Sequence, residues 1–150
     1  MLLYKVKQYD KLTLDELYSI MVIRQEVFIV EQECPYLDAD NKDQKCHHVL
    51  GTDPQGKLHS YARIVPKGIS YEKYYSIGRV ITSSAYRDIG EGKRLMQYCI
   101  SEMKKLYNTG NCKISAQVHA LPFYLNLGFA ETGDRYDEDG IPHTAMILSI

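Results

Sequence analysis

The stretch that decides the fold spans residues 76–96 and reads SIGRVITSSAYRDIGEGKRLM. Its first part, up to Ile81, is an apolar run of the kind that forms a strand. After a short polar turn, Gly90 and Gly92 stand at the start of an amphipathic helix. Glycines remove side chains where a ligand must approach the backbone, and a helix N-terminus offers free N–H groups and the positive end of its dipole to an anion. The stretch therefore predicts a turn that binds a pyrophosphate.

Three phosphate-binding patterns compete for this turn. A P-loop needs Ser or Thr directly after its lysine, but Arg94 follows Lys93. A dinucleotide fingerprint needs a small residue three positions beyond Gly92, where Leu95 stands. The pattern that fits is Arg-x-x-Gly-x-Gly, which begins at Arg87. A simple tight turn is the ordinary alternative for any Gly-x-Gly pair.

The composition is that of a globular protein. Of the 150 residues, 45% are hydrophobic and 25% are charged, so we expect one domain over residues 1–150 whose core needs no metal or disulfide. The formal net charge of −1 argues against non-specific nucleic-acid binding. No apolar run reaches the length of a signal peptide core or a membrane span, which predicts a cytoplasmic protein without a membrane partner. The four cysteines show no paired spacing and are predicted to be free thiols: Cys34, Cys46, Cys99 and Cys112.

The hydrophobic pattern predicts alternating strands and helices. Residues 2–9 alternate apolar and polar side chains as a strand does, and Thr13 with Glu16 forms a capping box for the first helix. The apolar stripe of this helix is expected to face the core through Leu14, Leu17, Tyr18, Met21, Val22, Val27 and Phe28.

The later elements follow from turn residues. Residues 49–53 and 57–65 are predicted to form a hairpin around a Pro-Gly turn. The second helix, which opens at the phosphate turn, is expected to end with Gly110 as a left-handed cap. A strand, a short helix that starts near Pro122 and two final strands complete the order.

A polar segment at residues 37–48 carries six potential metal ligands. Alternating aspartates are typical of a calcium loop, but the glycine and the closing glutamate are missing, and two histidines beside one cysteine complete no zinc spacing. We therefore predict no metal site and expect a solvated loop that lines the substrate entrance. The six residues are Asp38, Asp40, Asp43, Cys46, His47 and His48.

The Arg-x-x-Gly-x-Gly turn and the element order together resemble the GCN5-related N-acetyltransferases (GNATs) across the whole chain. The resemblance implies an α/β (α+β) fold with a mixed central sheet of six to seven strands, flanked by about four helices and splayed at its central strands. A closer similarity to the ElaA-type subgroup rests on long motifs at residues 24–32 (RQEVFIVEQ), 34–36 (CPY), 38–40 (DAD), 77–80 (IGRV), 116–119 (AQVH) and 138–143 (EDGIPH).

Acetyl-CoA is the cosubstrate that this resemblance implies, with no metal. The backbone of the central strand would bind the pantetheine arm, and the backbone of the turn would hold the pyrophosphate. On this basis the residues predicted to contact acetyl-CoA are Val80, Ile81, Thr82, Arg87, Asp88, Ile89, Gly90, Glu91, Gly92, Lys93 and Gln117.

The resemblance also implies the catalytic acid. Tyr124 occupies the position from which many relatives protonate the departing thiolate, and a phenol suits this role because its free pKa is near that of a thiol. A core tyrosine packed on Phe129 is the alternative for the same residue.

The base and the acceptor contacts are left open by the sequence. Many relatives place a glutamate on the central strand near Gly78 or Arg79, and neither residue can serve as a base. Candidate bases are Glu31, His48, His119 and His143, of which His119 is the one that we assign to catalysis. Substrate contacts are expected at Glu31, Asp38, His48 and His143, and the aspartate-rich loop would attract a cationic amine.

The predicted function is an acetyl-CoA-dependent N-acetyltransferase that transfers an acetyl group directly to a primary amine of a small molecule or a peptide. One alternative is a non-catalytic acyl-CoA-binding sensor or regulatory module. Another is an acyltransferase similar to the acyl-homoserine-lactone synthases, which share an early Arg-x-x-Val-Phe motif. A homodimer is compatible with the sequence.

Overall fold

The computed structural model describes residues 1–108 and 111–149. Within them, seven strands and three α-helices follow the order β1 (Leu3–Gln8), α1 (Leu14–Arg24), β2 (His47–Thr52), β3 (Leu58–Val65), β4 (Ser76–Thr82), α2 (Glu91–Tyr107), β5 (Asn111–Gln117), α3 (Leu121–Asn126), β6 (Ala130–Glu138) and β7 (Ile141–Ser149). A π-helical segment, Gln25–Glu31, continues α1. The α+β architecture is the predicted one, with three α-helices where about four were expected. The predicted cap at Gly110 lies outside the described residues.

Two antiparallel sheets form the centre of the molecule. The first has the order β1-β2-β3-β4, and the second has the order β5-β7-β6. Within residues 1–108 and 111–149, one isolated parallel bridge, between Tyr75 and Cys112, links the two sheets. The Lys113 amide reinforces it by donating to the Tyr75 carbonyl at 2.9 Å. β4 and β5 therefore start side by side and then separate, which is the predicted splay.

The first sheet lies between α1 and α2. On one face, α2 packs Leu95 and Cys99 into a core that also contains Ile64 and, from the second sheet, Met146. On the other face, α1 contributes Ile20 to a separate cluster. Both faces of β3 are therefore buried along its whole length. All four cysteines are buried and free, as predicted.

Local sequence signals set the ends of several elements. The capping box is present, because Thr13 accepts the Glu16 amide and Glu16 accepts the Thr13 amide. The β2–β3 turn is closed by the Asp53 carboxylate, which accepts hydrogen bonds from the amides of Gln55 and Lys57 at 2.9 Å each. These contacts join residues that are close to one another in the sequence, which is why the local sequence pattern predicted them correctly.

The buried face of α1 differs from the predicted one. Leu14, Tyr18 and Val22 are exposed, Leu14 by 86%, while Ile20 and Ile23 are buried. The helix carries apolar residues around most of its circumference, so spacing alone did not identify the face that meets the sheet. In the described part of the chain, no helix has the length and apolar character needed to cross a membrane.

Candidate functional site

A cleft with a volume of 910 Å³ opens where β4 and β5 separate. One wall is residues 77–82 of β4, and the facing wall is residues 114–117 of β5. The π-helical segment, α3 and the β6–β7 turn supply further lining residues. Because both sheets contribute, residues as distant in sequence as Phe28 and His143 line the same space.

β4 is bent where it borders the cleft. Between two positions that pair with β3, β4 contains one residue more than β3 does, which makes a β-bulge. Arg79 in this bulge has a φ of +49°, a strained value for a residue with a side chain and one that is concentrated at functional sites. The predicted pantetheine contacts, Val80, Ile81 and Thr82, follow directly and all line the cleft.

The N-terminus of α2 lies next to the end of β4. Gly90 precedes the helix with a φ of +85°, which glycine adopts without strain. The Arg94 amide makes the first helical hydrogen bond, to the Gly90 carbonyl at 3.2 Å, so the amides of residues 91–93 have no acceptor within the helix. A Cβ on Gly92 would lie 3.5 Å from Thr82 Oγ1, and a longer side chain would fill the space beside the strand. This geometry fits an anion such as a pyrophosphate.

The side chains of the predicted phosphate turn point in different directions. Ile89 and Lys93 are exposed, and Asp88 has a φ of +63°. The carboxylate of Glu91 is buried and accepts a hydrogen bond from the Tyr4 hydroxyl. Glu91 therefore offers a ligand its backbone and not its side chain.

Arg87 connects the phosphate turn to the π-helical segment. Its Nη2 lies 2.7 Å from Glu31 Oε1, and its Nε donates to the Thr82 carbonyl at 2.8 Å. Arg87 and Glu31 both line the cleft. The carboxylate of Glu31, a predicted acceptor contact, is thus neutralised by an arginine of the predicted pyrophosphate site.

Tyr124 lines the cleft from α3. Its ring packs edge-on against Phe123 and Phe129, with centroid separations of 5.0 and 5.8 Å. Burial raises the pKa of Tyr124 to about 12, so the hydroxyl keeps its proton at neutral pH. The residue therefore has the core contact of the structural alternative and the cleft position that an acid needs, and its catalytic role stays a prediction.

His143 lines the cleft from β7 and is 8% exposed. Its Nδ1 lies 2.7 Å from the Ile141 carbonyl oxygen, and its Nε2 lies 3.3 Å from Glu138 Oε2. Tyr136 stacks on the imidazole with a centroid separation of 6.2 Å. A histidine, a carboxylate and a phenol thus meet at the second-sheet side of the cleft.

His119 and Gln117 lie on the same side, where β5 ends. His119 is exposed on a 3-10 turn, and its Nε2 lies 2.5 Å from Gln117 Oε1. The amide nitrogen of Gln117 donates to Gln32 Oε1 at 3.0 Å, which joins β5 to the residue after the π-helical segment. Both predicted residues line the cleft.

Asp38 does not lie in a solvated loop, so that expectation is wrong at this residue. It is 6% exposed, and its carboxylate lies 2.7 Å from Arg24 Nε and 2.8 Å from Arg79 Nε. The structure places Asp38 outside the residues that line the cleft, behind Arg79.

The other two aspartates of the segment extend this ion-pair network. Asp43 Oδ1 lies 2.7 Å from Arg24 Nη1 and 2.8 Å from Arg63 Nη1, and Arg63 also pairs with Asp40. Burial favours a neutral acid, but the ion pairs with Arg24 and Arg63 hold the pKa of Asp43 below its usual value. Three arginines, Arg79 included, balance three aspartates, which makes the burial of these charges possible.

His48 is also outside the cleft. Its side chain is fully buried, its Nε2 donates to the Asp43 carbonyl at 2.8 Å, and its Nδ1 accepts from the Tyr61 hydroxyl at 2.7 Å. Burial lowers the pKa of His48, so the ring is held neutral. Its contacts are those of a structural histidine that fixes the start of β2.

Two residues of the cleft were missed by the sequence reasoning. The sequence analysis treated Arg79 only as a residue that cannot act as the catalytic base. Gly78 within an apolar strand nevertheless indicates a bulge at this position. Glu138 was not identified as a site residue, although Asp139-Gly140 is a pair typical of a hairpin turn and the β6–β7 hairpin brings Glu138 beside His143.

Comparison with known proteins settles the family. A family model described as "Acetyltransferase (GNAT) domain" matches residues 18–150. The chain belongs to the GNAT family of acetyltransferases. Protein ElaA of Escherichia coli is 35% identical to this GNAT protein over 144 residues, which is 95% of this chain and 93% of ElaA. A UPF0039 protein of Synechocystis is 37% identical over 144 residues, 96% of this chain and 93% of that protein.

Solved structures agree with this assignment. The crystal structure of an acyl-CoA N-acyltransferase from Pseudomonas aeruginosa has a TM-score of 0.93 and 36% identity, covering 99% of this chain and 100% of that one. The crystal structure of Escherichia coli ElaA has a TM-score of 0.92 and 32% identity with the same coverage. The predicted GNAT fold and the ElaA-like subgroup are confirmed.

Proposed function

We propose that this protein is an acetyl-CoA-dependent N-acetyltransferase that transfers the acetyl group directly to a primary amine. The observation that carries the proposal is the cleft between β4 and β5, which has the free amides of α2 beside one end, Tyr124 in its wall and His143 at its second-sheet side. Membership of the GNAT family and the acyl-CoA N-acyltransferase from Pseudomonas aeruginosa support an acyl-CoA as donor.

The predicted binding residues fit a CoA pyrophosphate. Residues 91–93 offer backbone N–H groups, and Gly92 leaves the space that a side chain would fill. Arg87 is the cation of the phosphate turn that lines the cleft, and it would exchange part of its contact with Glu31 for the anion. Backbone groups of residues 80–82 would bind the pantetheine arm along the splayed edge of β4.

Catalysis is then mainly a matter of positioning. Bound acetyl-CoA supplies an activated thioester. The bulged backbone after Arg79 would direct N–H groups at the carbonyl oxygen as negative charge develops on it. Tyr124 would give its hydroxyl proton to the departing sulfur, a role that suits a phenol held protonated at neutral pH.

Calorimetric titration of the purified protein tests the donor site. We expect acetyl-CoA to bind and S-acetyl-pantetheine, which lacks the pyrophosphate and the nucleotide, to bind at least tenfold more weakly, because it leaves the α2 N-terminus unused. Equal affinity for the two ligands would contradict the pyrophosphate site.

Thiol release tests turnover in the same preparation. The amines are spermidine, glucosamine and a peptide with a free N-terminus and a lysine, which together sample the polyamine, amino-sugar and peptide classes. Release of CoA thiol that depends on one amine supports the transferase and identifies its class. Binding without amine-dependent release supports the acyl-CoA sensor instead.

A further inference from the structure

Both ring nitrogens of His143 face an oxygen, and the shorter of the two contacts indicates which nitrogen carries the hydrogen in the neutral ring. Nδ1 lies 2.7 Å from the carbonyl oxygen of Ile141, and a carbonyl oxygen only accepts hydrogen bonds. In the neutral ring the hydrogen is therefore on Nδ1, and the lone pair is on Nε2. His143 is 8% exposed on β7 and stacked by Tyr136, so the ring has little freedom to turn over.

Glu138 prepares Nε2 to receive a proton. Its Oε2 lies 3.3 Å from Nε2, and two acceptors that face each other repel unless a proton comes between them. Ser115 Oγ donates to the same carboxylate oxygen at 3.2 Å and helps to hold it. The side chain of Glu138 is 54% exposed, so this end of the cleft is open to water, from which an amine arrives and to which a proton leaves.

The other candidate bases are less suited to the reaction. Glu31 forms an ion pair with Arg87 at 2.7 Å, so one of its carboxylate oxygens is already engaged. His48 is fully buried away from the cleft. His119 directs its Nε2 to Gln117 Oε1 and is exposed on a 3-10 turn.

We propose that His143 is the general base of this enzyme and that it accepts the amine proton at Nε2. This inference rests on the proposed acetyltransferase function. The ammonium form of the acceptor gives one proton to Nε2, and the positive ring is stabilised by the carboxylate of Glu138. The amine nitrogen then bonds to the carbonyl carbon as the C–S bond breaks. The sulfur takes a proton from Tyr124, and the second amine proton restores the tyrosine hydroxyl, so that the proton on Nε2 is the one released to water.

The tautomer of His143 is measured without turnover. Two-bond ¹H–¹⁵N correlation spectra of protein labelled at its histidines report which nitrogen is protonated, and His143→Gln identifies the signal by its loss. We expect the neutral ring to carry hydrogen on Nδ1 and none on Nε2. A neutral ring with hydrogen on Nε2 overturns the proposal, because that atom then has no lone pair to offer.

Kinetics test the role in transfer. With the amine that the wild type acetylates best in the panel of spermidine, glucosamine and peptide, His143→Gln is expected to lower kcat by about 10²–10⁴-fold, the usual size of a general-base contribution. The dissociation constant for acetyl-CoA should change by less than about twofold, since the ring lies on the acceptor side. Imidazole added to His143→Ala should restore part of kcat. Asp134→Asn, an exposed carboxylate of β6 outside the cleft, is the control with unchanged kcat.

The pH profile separates a base from a merely structural residue. Without a base only the free amine can attack, so kcat/KM of His143→Gln is expected to fall with decreasing pH as the amine is protonated, whereas the wild type keeps its kcat/KM to lower pH. Glu138 and Tyr136 on β6 contact the ring, Tyr71 interacts with both of them, and His119 lies beyond the end of β5; the variant retains all four. The same change of profile in His119→Gln, with an unchanged profile in His143→Gln, would overturn the proposal in favour of His119.

The outcomes for the two proposals differ. A wild type that fails to bind acetyl-CoA, or that binds it without acetylating an amine, overturns the transferase and its base together. A wild type that acetylates an amine while His143→Gln keeps its kcat overturns only the role of His143.

Discussion

At the residue scale, Tyr124 combines a raised pKa with a position in the cleft wall. If Tyr124 is the acid, Tyr124→Phe is expected to lower kcat by roughly tenfold to a thousandfold, because it removes the proton proposed for the leaving sulfur and keeps the ring packing on Phe123 and Phe129. Steady-state thiol release measures kcat, and calorimetry should give an acetyl-CoA affinity close to that of the wild type. Tyr18→Phe, an exposed tyrosine of α1, is the matched control. An unchanged kcat in Tyr124→Phe would remove the acid assignment.

His48 makes stability depend on pH. Its pKa is lowered in the folded state by burial, whereas an imidazole in the unfolded chain titrates near about 6.5. Below that pH the unfolded chain binds a proton that the folded protein does not bind, so the free energy of unfolding falls as pH decreases. For one group the fall is at most about 1.4 kcal/mol per pH unit. Urea unfolding between pH 7.5 and 5.5 measures this slope.

A variant assigns the slope to one ring. His48→Gln should flatten the dependence in this pH range, even if its overall stability is lower. His47 also has a pKa lowered by burial. His47→Gln, measured in the same way, gives the contribution of His47 to the pH dependence of the free energy of unfolding. The same slope in wild type and His48→Gln would show that His48 titrates equally in both states.

At the element scale, α2 starts where the sequence predicted it, while the role of this helix start in binding stays a prediction. The glycines at positions 90 and 92 and the positive charge after them act within one turn of helix, so local pattern and final geometry agree. The predicted face of α1 was wrong for the opposite reason. Which side of that helix is buried depends on where the first sheet lies, and Leu14 and Ile20 are equally apolar in the sequence.

Gly92→Leu tests the start of α2. Its Cβ would only touch Thr82 and Phe123, but the rest of the side chain would enter the space predicted for the pyrophosphate. We expect the affinity for acetyl-CoA to fall at least tenfold, since a loss of about 1.4 kcal/mol corresponds to that factor. Gln97→Leu adds the same side chain to an exposed position of the same helix and should leave the affinity unchanged. Equal affinities in both variants would count against the phosphate turn.

At the scale of the whole molecule, the arginine–aspartate network joins segments that lie far apart in the chain. Asp43 pairs with Arg24 at the end of α1 and with Arg63 in β3. Asp43→Asn is expected to lower the free energy of unfolding by about 3–5 kcal/mol, because it removes a carboxylate charge that balances two buried guanidinium groups. Urea unfolding at pH 7 measures the change, and Asp134→Asn on the exposed face of β6 should stay within about 0.5 kcal/mol of wild type. A small effect of Asp43→Asn would mean that water or other partners replace the carboxylate.

This network also explains where sequence reasoning failed. Aspartates and histidines at residues 37–48 were interpreted as a solvated loop, since polar residues are mostly exposed. The arginines that neutralise them, Arg24, Arg63 and Arg79, stand in an apolar helix and two apolar strands and come together only in the folded molecule. The GNAT fold followed from element order and motifs, whereas the burial of these charges depends on tertiary pairing.

The division into two sheets follows the order in which the chain is synthesised. Among the described strands, all four of the first sheet precede α2, and all three of the second sheet follow it. A ribosome therefore delivers every backbone partner of the first sheet before any strand of the second exists. The hydrophobic core is not complete at that stage, because Ile64 and Ile77 pack in one cluster with Ile114 and Met146, which come from the last third of the chain. Until those residues emerge, the nascent first sheet has its hydrogen bonds but an open apolar face.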